Sequence, residues 1–169
     1  MRKRLSFALL MLFLPIVGAL AQSKFAHLNS QDIISEMREY KVATATLADM
    51  QKKYQDELNR TKEDFNKKYQ EYLAQAEGLP RNIAERRQKE LQDLAQRQEQ
   101  FQQEAYESLQ KAREEALAPI LQKVNNAIKA VGEAEGYIYI FDLSHTPIPY
   151  VGSESEDITA KVKAQLGMH

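Results

Sequence analysis

The chain has no cysteine and no tryptophan, and its 169 residues include only six glycines and five prolines. Without cysteine there can be no disulfide, no thiolate nucleophile and no Cys-ligated metal. Few glycines and prolines leave few places where a helix must stop, and a 28% charged composition suits long exposed helices more than a globular α/β core. An excess of positive charge is missing too: the formal net charge is −1, which gives nucleic acid no electrostatic footprint, and no nucleic-acid partner is expected. No Gly-rich phosphate loop occurs. His27, His145 and His169 lack ligand spacing, so no metal site is expected. Ser153 and Ser155 sit near acids with no base placed to activate them and read as turn residues. No enzyme and no cofactor are expected.

A long apolar run occurs only at the start. Arg2, Lys3 and Arg4 precede Leu5 to Val17, which is interrupted by Ser6 and Pro15, and Ala19-Leu20-Ala21 supplies a small-x-small cleavage pattern. Residues 1–21 therefore read as an export signal cleaved after Ala21, with Gln22 first in the mature chain. As a membrane anchor the run would be short for ~30 Å of hydrocarbon. No cysteine follows it to carry a lipid. Removing three cations and no acids leaves the mature chain about four charges negative, both signs interspersed.

What the sequence has in plenty is helix. Residues 43–131 read as one long antiparallel hairpin around a single turn signal, Gly78-Leu79-Pro80. Leu47, Met50 and Tyr54, then Leu58, Thr61 and Phe65, then Tyr69, Tyr72 and Ala76 repeat a 3-4-4 step. That 11-residue period keeps one face on a straight or slightly right-handed helix. Gly78 suits a left-handed residue after the first helix, and Pro80 suits the first position of the second. The second arm carries a weaker stripe, Leu91, Leu94, Phe101, Ala105, Leu109, Ala112 and Ala116. At 1.5 Å per residue the arms would span roughly 50 and 75 Å. Glu63–Lys67, Asp64–Lys68, Glu85–Lys89, Asp93–Arg97 and Glu107–Lys111 have the spacing of helix-supporting pairs. Gln88 to Gln110 is glutamine-rich and reads as a neutral, wet face. Pro119 should interrupt or kink the second arm. Beyond it Ile120, Val124, Ala127, Ile128 and Val131 should enter a packed body.

The body comprises 22–42 and 120–169, and the arm 43–119 with its tip at 78–80. Phe25 to Leu28 reads as a strand, capped by Asn29 or Ser30 into a helix that flows through Tyr40 and Val42 into the first arm. After Gly136, residues 137–141 read as a strand apolar on both faces and hence buried on both. Ile148 to Val151 reads as a second, edge strand because of Pro149. Gly152 to Glu156 reads as a loop, and Asp157 caps a last helix with Ile158, Val162 and Leu166 on one face. So small a body leaves apolar surface and strand edges uncovered, and association of several copies would solve both. Phe25, Leu28, Tyr137, Ile138, Tyr139, Ile140, Phe141, Ile148 and Tyr150 are the candidate association residues. The fold class is mainly α with a small β part: a helical arm projecting from a small oligomeric body.

In this order the elements resemble the Skp/OmpH family of periplasmic chaperones over essentially the whole mature chain. The residues that carry the resemblance are Met37-Arg38-Glu39-Tyr40-Lys41, with Arg38 where the family often has proline, then Pro119-Ile120, Gly136 to Asp142, Pro149-Tyr150 and Asp157-Ile158-Thr159. The resemblance implies a periplasmic homotrimer with a β-barrel-like body and three arms enclosing a cavity. There, unfolded outer membrane proteins would be held without ATP, with transient membrane-surface contact left open. The best-known members are strongly basic, and this mature chain is acidic. Tyr54, Phe65, Tyr69, Tyr72, Leu79 and Phe101 are candidate client contacts. For the aromatics among them, filling the seam between the arms is the favoured reading, whereas Leu79 has no obvious packing partner. The competing reading is a structural coiled-coil tether of the cell envelope.

Overall fold

The described residues of the computed structural model run from 24 to 168, so the expected export signal and His169 lie outside them. Strand β1 (Phe25–Leu28) leads into helix α1 (Ser30–Glu36), and the long helix α2 (Arg38–Gln75) ends in one 3-10 turn, Ala76–Gly78. Helix α3 (Arg81–Glu135) returns, followed by strands β2 (Tyr139–Asp142) and β3 (Ser155–Asp157) and helix α4 (Thr159–Gln165). The strands form one parallel sheet in the order β2-β1-β3, so the hairpin is a crossover between neighbouring strands. Helix α2 spans roughly 57 Å and α3 roughly 82 Å at the usual rise.

The core lies where the two helices meet the sheet. Ala26 and Leu28 alternate inward from β1 and pack with Ile33, Ala127, Val131, Ile158 and Val162. A second cluster, Ile34, Met37, Ile120 and Val124, joins the first through Ile128, Leu166 and Met168. Each buried Leu, Ile, Val or Met among them contributes about 1.5–3 kcal/mol, so these clusters hold the body together. Asn29 caps α1 by accepting from the backbone N–H groups of Gln31 and Asp32, and Asp32 occupies the first turn. At the far end of α3, Gly136 adopts φ +73° and its N–H donates to the Gly132 carbonyl, as does that of Tyr137. This left-handed closure is what a glycine permits.

Several expectations are corrected. The first helix does not flow into the arm: Met37 is extended (φ −61°, ψ 134°) and separates α1 from α2. Its side chain is buried in the second cluster, so the bend points it into the core and redirects the chain outward. Arg38 is then the first residue of α2, a position that favours proline. Gly78 is not left-handed; among the described residues only Gly136 and Gly167 have positive φ. Pro80 precedes the first turn of α3 rather than starting it, its carbonyl accepting from Ile83 and Ala84. Helix α3 runs on through Pro119, and the buried packing that begins at Ile120 holds it despite the one backbone bond that proline removes. Residues 148–151 are irregular, and the third strand is Ser155–Asp157, in what reads as a loop. It forms because β1 offers it a free edge.

Of the five charge pairs expected, Asp64–Lys68 forms at 3.1 Å. Glu85 instead pairs with Arg81, Lys111 with Glu115, Glu107 accepts from Gln103, and the Arg97 guanidinium donates to the Asp93 backbone carbonyl. Such contacts are worth only tenths of a kcal/mol, so neighbouring partners compete almost evenly.

Candidate functional site

Two surfaces are candidates: the outer face of the sheet and the helical arm. The inner sheet face is occupied by the core, but β2 is not buried on both sides as its composition suggests. Tyr139 is 61% exposed and Phe141 41%, whereas Ile140 between them packs against the core. Register places Phe25 beside Tyr139, and their rings stack at 6.3 Å; Tyr139 and Phe141 follow at 6.1 Å. Three aromatic rings thus form a ladder open to water, and Ile138, just before β2, is 56% exposed. A single chain has no second layer to cover this face.

The other candidate association residues divide. Leu28 is fully buried in its own chain's core. Tyr137 packs against that core, and its hydroxyl donates to the Glu156 carboxylate. Burial raises the Tyr137 phenol, and the Glu156 hydrogen bond pushes the same way. Lys161 sits 3.1 Å from Glu135 and 2.9 Å from Glu156, and these carboxylates raise its ammonium above the usual lysine range. Ile148 is half-buried in the loop after β2, and Tyr150 is exposed there.

The arm places Tyr54 and Phe101 against each other across the seam, 5.9 Å between ring centroids. Phe65 is half-buried and stacks at 6.1 Å on Tyr69, whose own ring is exposed. Tyr72 and Leu79 line a cleft at the tip with Leu91 and Leu94. Sequence reasoning missed Leu73 and Tyr106, exposed apolar side chains that stand off the main stripe. Breaks in the stripe's period were the available signal.

Polar clusters stitch the body. Asp142, at the end of β2, accepts from the backbone N–H of Ser30 at 3.1 Å, from the Ser30 hydroxyl, and from the backbone N–H and hydroxyl of Ser144. Burial would raise this carboxyl, but those hydrogen bonds outweigh it and hold it well below the usual carboxylate range. The contact ties the start of α1 to the end of β2. Ser155 does have a base nearby, contrary to expectation: His27 Nδ1 lies 3.0 Å from its Oγ. The neighbouring carboxylate, Asp157, accepts instead from the N–H and hydroxyl of Thr159 at the start of α4. These hydrogen bonds hold its carboxyl below the usual range. The His27–Ser155 contact therefore reads as a pin between β1 and β3.

Among the described residues no group of three or more His, Asp or Glu is placed to hold a metal ion. No helix among them is long and apolar enough to cross a membrane.

Comparison with known proteins adds the following. The profile of the family described as Outer membrane protein (OmpH-like) matches residues 24–166. A crystal structure of a candidate outer membrane chaperone (OmpH-like) from Caulobacter crescentus CB15 superposes with a TM-score of 0.70 at 18% identity. The match covers 84% of this chain and 82% of that one. No curated protein matches significantly.

Proposed function

The chain belongs to the OmpH-like outer membrane protein family, and from that premise we propose that it is an ATP-independent holdase chaperone of the periplasm. Several copies would join through the sheet faces into a β-barrel-like body, three being the number that the resemblance implies. Their arms would enclose a cavity that keeps unfolded outer membrane proteins from aggregating. The observation that carries this reading is the pairing of a projecting arm with an open aromatic ladder at its base. Phe25, Tyr139 and Phe141 expose rings that a second copy can cover, and among the described residues both outer strands of the sheet have an unpaired edge. Association at the base points several arms the same way. The neighbour from Caulobacter supports a chaperone role by its description, and its likeness to this chain is one of fold.

Exported barrel strands alternate apolar and polar residues and aggregate through the apolar ones before insertion. Many weak contacts along long arms can hold such a chain in sum while each lets go quickly. Purified mature protein should suppress the aggregation of an outer membrane barrel protein diluted from urea, near one oligomer per client and without ATP. Light scattering on the same sample should give an oligomer mass. Unchanged aggregation would leave the envelope-tether reading in its place.

A further inference from the structure

The arm has two unlike sides. With 3.6 residues per turn, the seam positions of α3 (Phe101, Ala105, Ala112) leave Gln88, Gln102 and Tyr106 on one flank and Asp93, Glu104 and Lys111 on the other. In α2 the seam positions (Tyr54, Phe65, Tyr72) leave Gln55, Asn66 and Leu73 on one flank and Glu57, Asp64 and Glu71 on the other. Running antiparallel reverses the sense of rotation, so the amide-rich flanks of both helices fall on the same side of the hairpin. The clefts along the seam agree with this division. One is lined by Glu57, Arg60 and Asp64 of α2 with Arg97 of α3. The cleft nearer the tip takes Lys68, Glu71 and Gln75 of α2 with Arg87 and Glu90 of α3, over a floor of leucines.

Contacts divide the same way. Ion pairs Arg60–Glu57, Lys68–Asp64, Arg86–Glu90 and Lys111–Glu115 belong to the charged side. On the other side two amides, Gln55 and Asn59, meet at 3.0 Å, and the ion pairs Lys52–Asp56 and Arg81–Glu85 lie at its outer margin. That side also presents Leu73 at 50% exposure and Tyr106 at 60%, interrupted by Lys62, Glu99 and Arg113, Glu99 lining one cleft with Gln102 and Tyr106.

We infer that the amide-and-tyrosine side is the surface that takes the client, and that its occupant is an extended, uncharged stretch of unfolded polypeptide. This rests on the chaperone reading above. An amide both donates and accepts, as a peptide group does, whereas an ammonium only donates and a carboxylate only accepts. The neutral side can therefore trade its water for backbone contacts in either direction, and Leu73 and Tyr106 add apolar footholds. Covering the charged side would strip water from ions whose pairing is worth little in return. The charged side faces bulk water and keeps loaded arms soluble.

The test places a photo-crosslinking benzoylphenylalanine at Leu73 or Tyr106, and at Arg60 or Arg97 for comparison, in the mature oligomer mixed with a urea-diluted outer membrane barrel protein. Crosslinking to the client should be at least fivefold greater from the neutral side. In parallel, Leu73→Glu with Tyr106→Glu should raise the concentration needed to suppress aggregation about tenfold, with circular dichroism unchanged. Arg60→Glu with Arg97→Glu should stay within twofold. Equal or reversed crosslinking by a protein that still suppresses aggregation overturns this inference alone. Failure of the unmodified protein to suppress aggregation overturns the chaperone reading, and this inference with it.

Discussion

Helix α3 is one continuous element with two kinds of neighbourhood. From Ile120 to Val131 it buries Ile120, Val124, Ala127 and Val131 against the sheet and the short helices. From Arg81 to Pro119 its one buried residue is Ala105. Helix α2 has none at all. The arm is therefore held by helix propensity, a partly wet seam and many surface pairs, each weak, while the body is held by packing. A chain built this way can fold at its base and still leave its longest elements compliant. That division suits the proposed holder of varied clients, since a rigid arm would fit only one of them.

Truncation should break the comparison most sharply. Ile33 is fully buried, so Ile33→Ala should cost about 2–5 kcal/mol in urea unfolding. Leu94, half-exposed in the seam, should cost under about 1 kcal/mol on the same change, because water already reaches the site. Similar losses at both would mean that arm and body form one cooperative unit.

Acid should separate the regions more gently. The Asp142 carboxyl is lowered in the folded state, so its contribution is fully present above the unfolded value near 4 and is lost as pH falls through the lower folded value. Body stability should fall below about pH 4, while the arm's exposed charges contribute little to that slope. Asp142→Asn should be less stable by about 2 kcal/mol at pH 7 and show a shallower acid slope. An unchanged slope would assign the acid sensitivity elsewhere.

Much of this was legible in the sequence because periodicity reports burial directly. The 3-4-4 stripe places Leu47, Met50, Tyr54, Leu58, Phe65 and Tyr72 on the seam, and all are half-buried. Residues 25–28, the Asn29 cap, the Gly136 stop and the Ile158–Val162–Leu166 face also read correctly, since each depends on local chemistry. What depended on distant partners did not read. Ser155–Asp157 is a strand only because β1 lies beside it, and Met37 bends the chain only because a core exists to receive it. The two-sided character of the arm needed the relative rotation of both helices, which neither stripe gives alone.

Native-state hydrogen exchange, resolved by residue, tests the contrast between arm and body most directly. The amides of residues 120–131 should exchange only with global unfolding, and those of 60–95 orders of magnitude faster through local opening. Uniform protection along α3 from Arg81 to Glu135 would contradict the account.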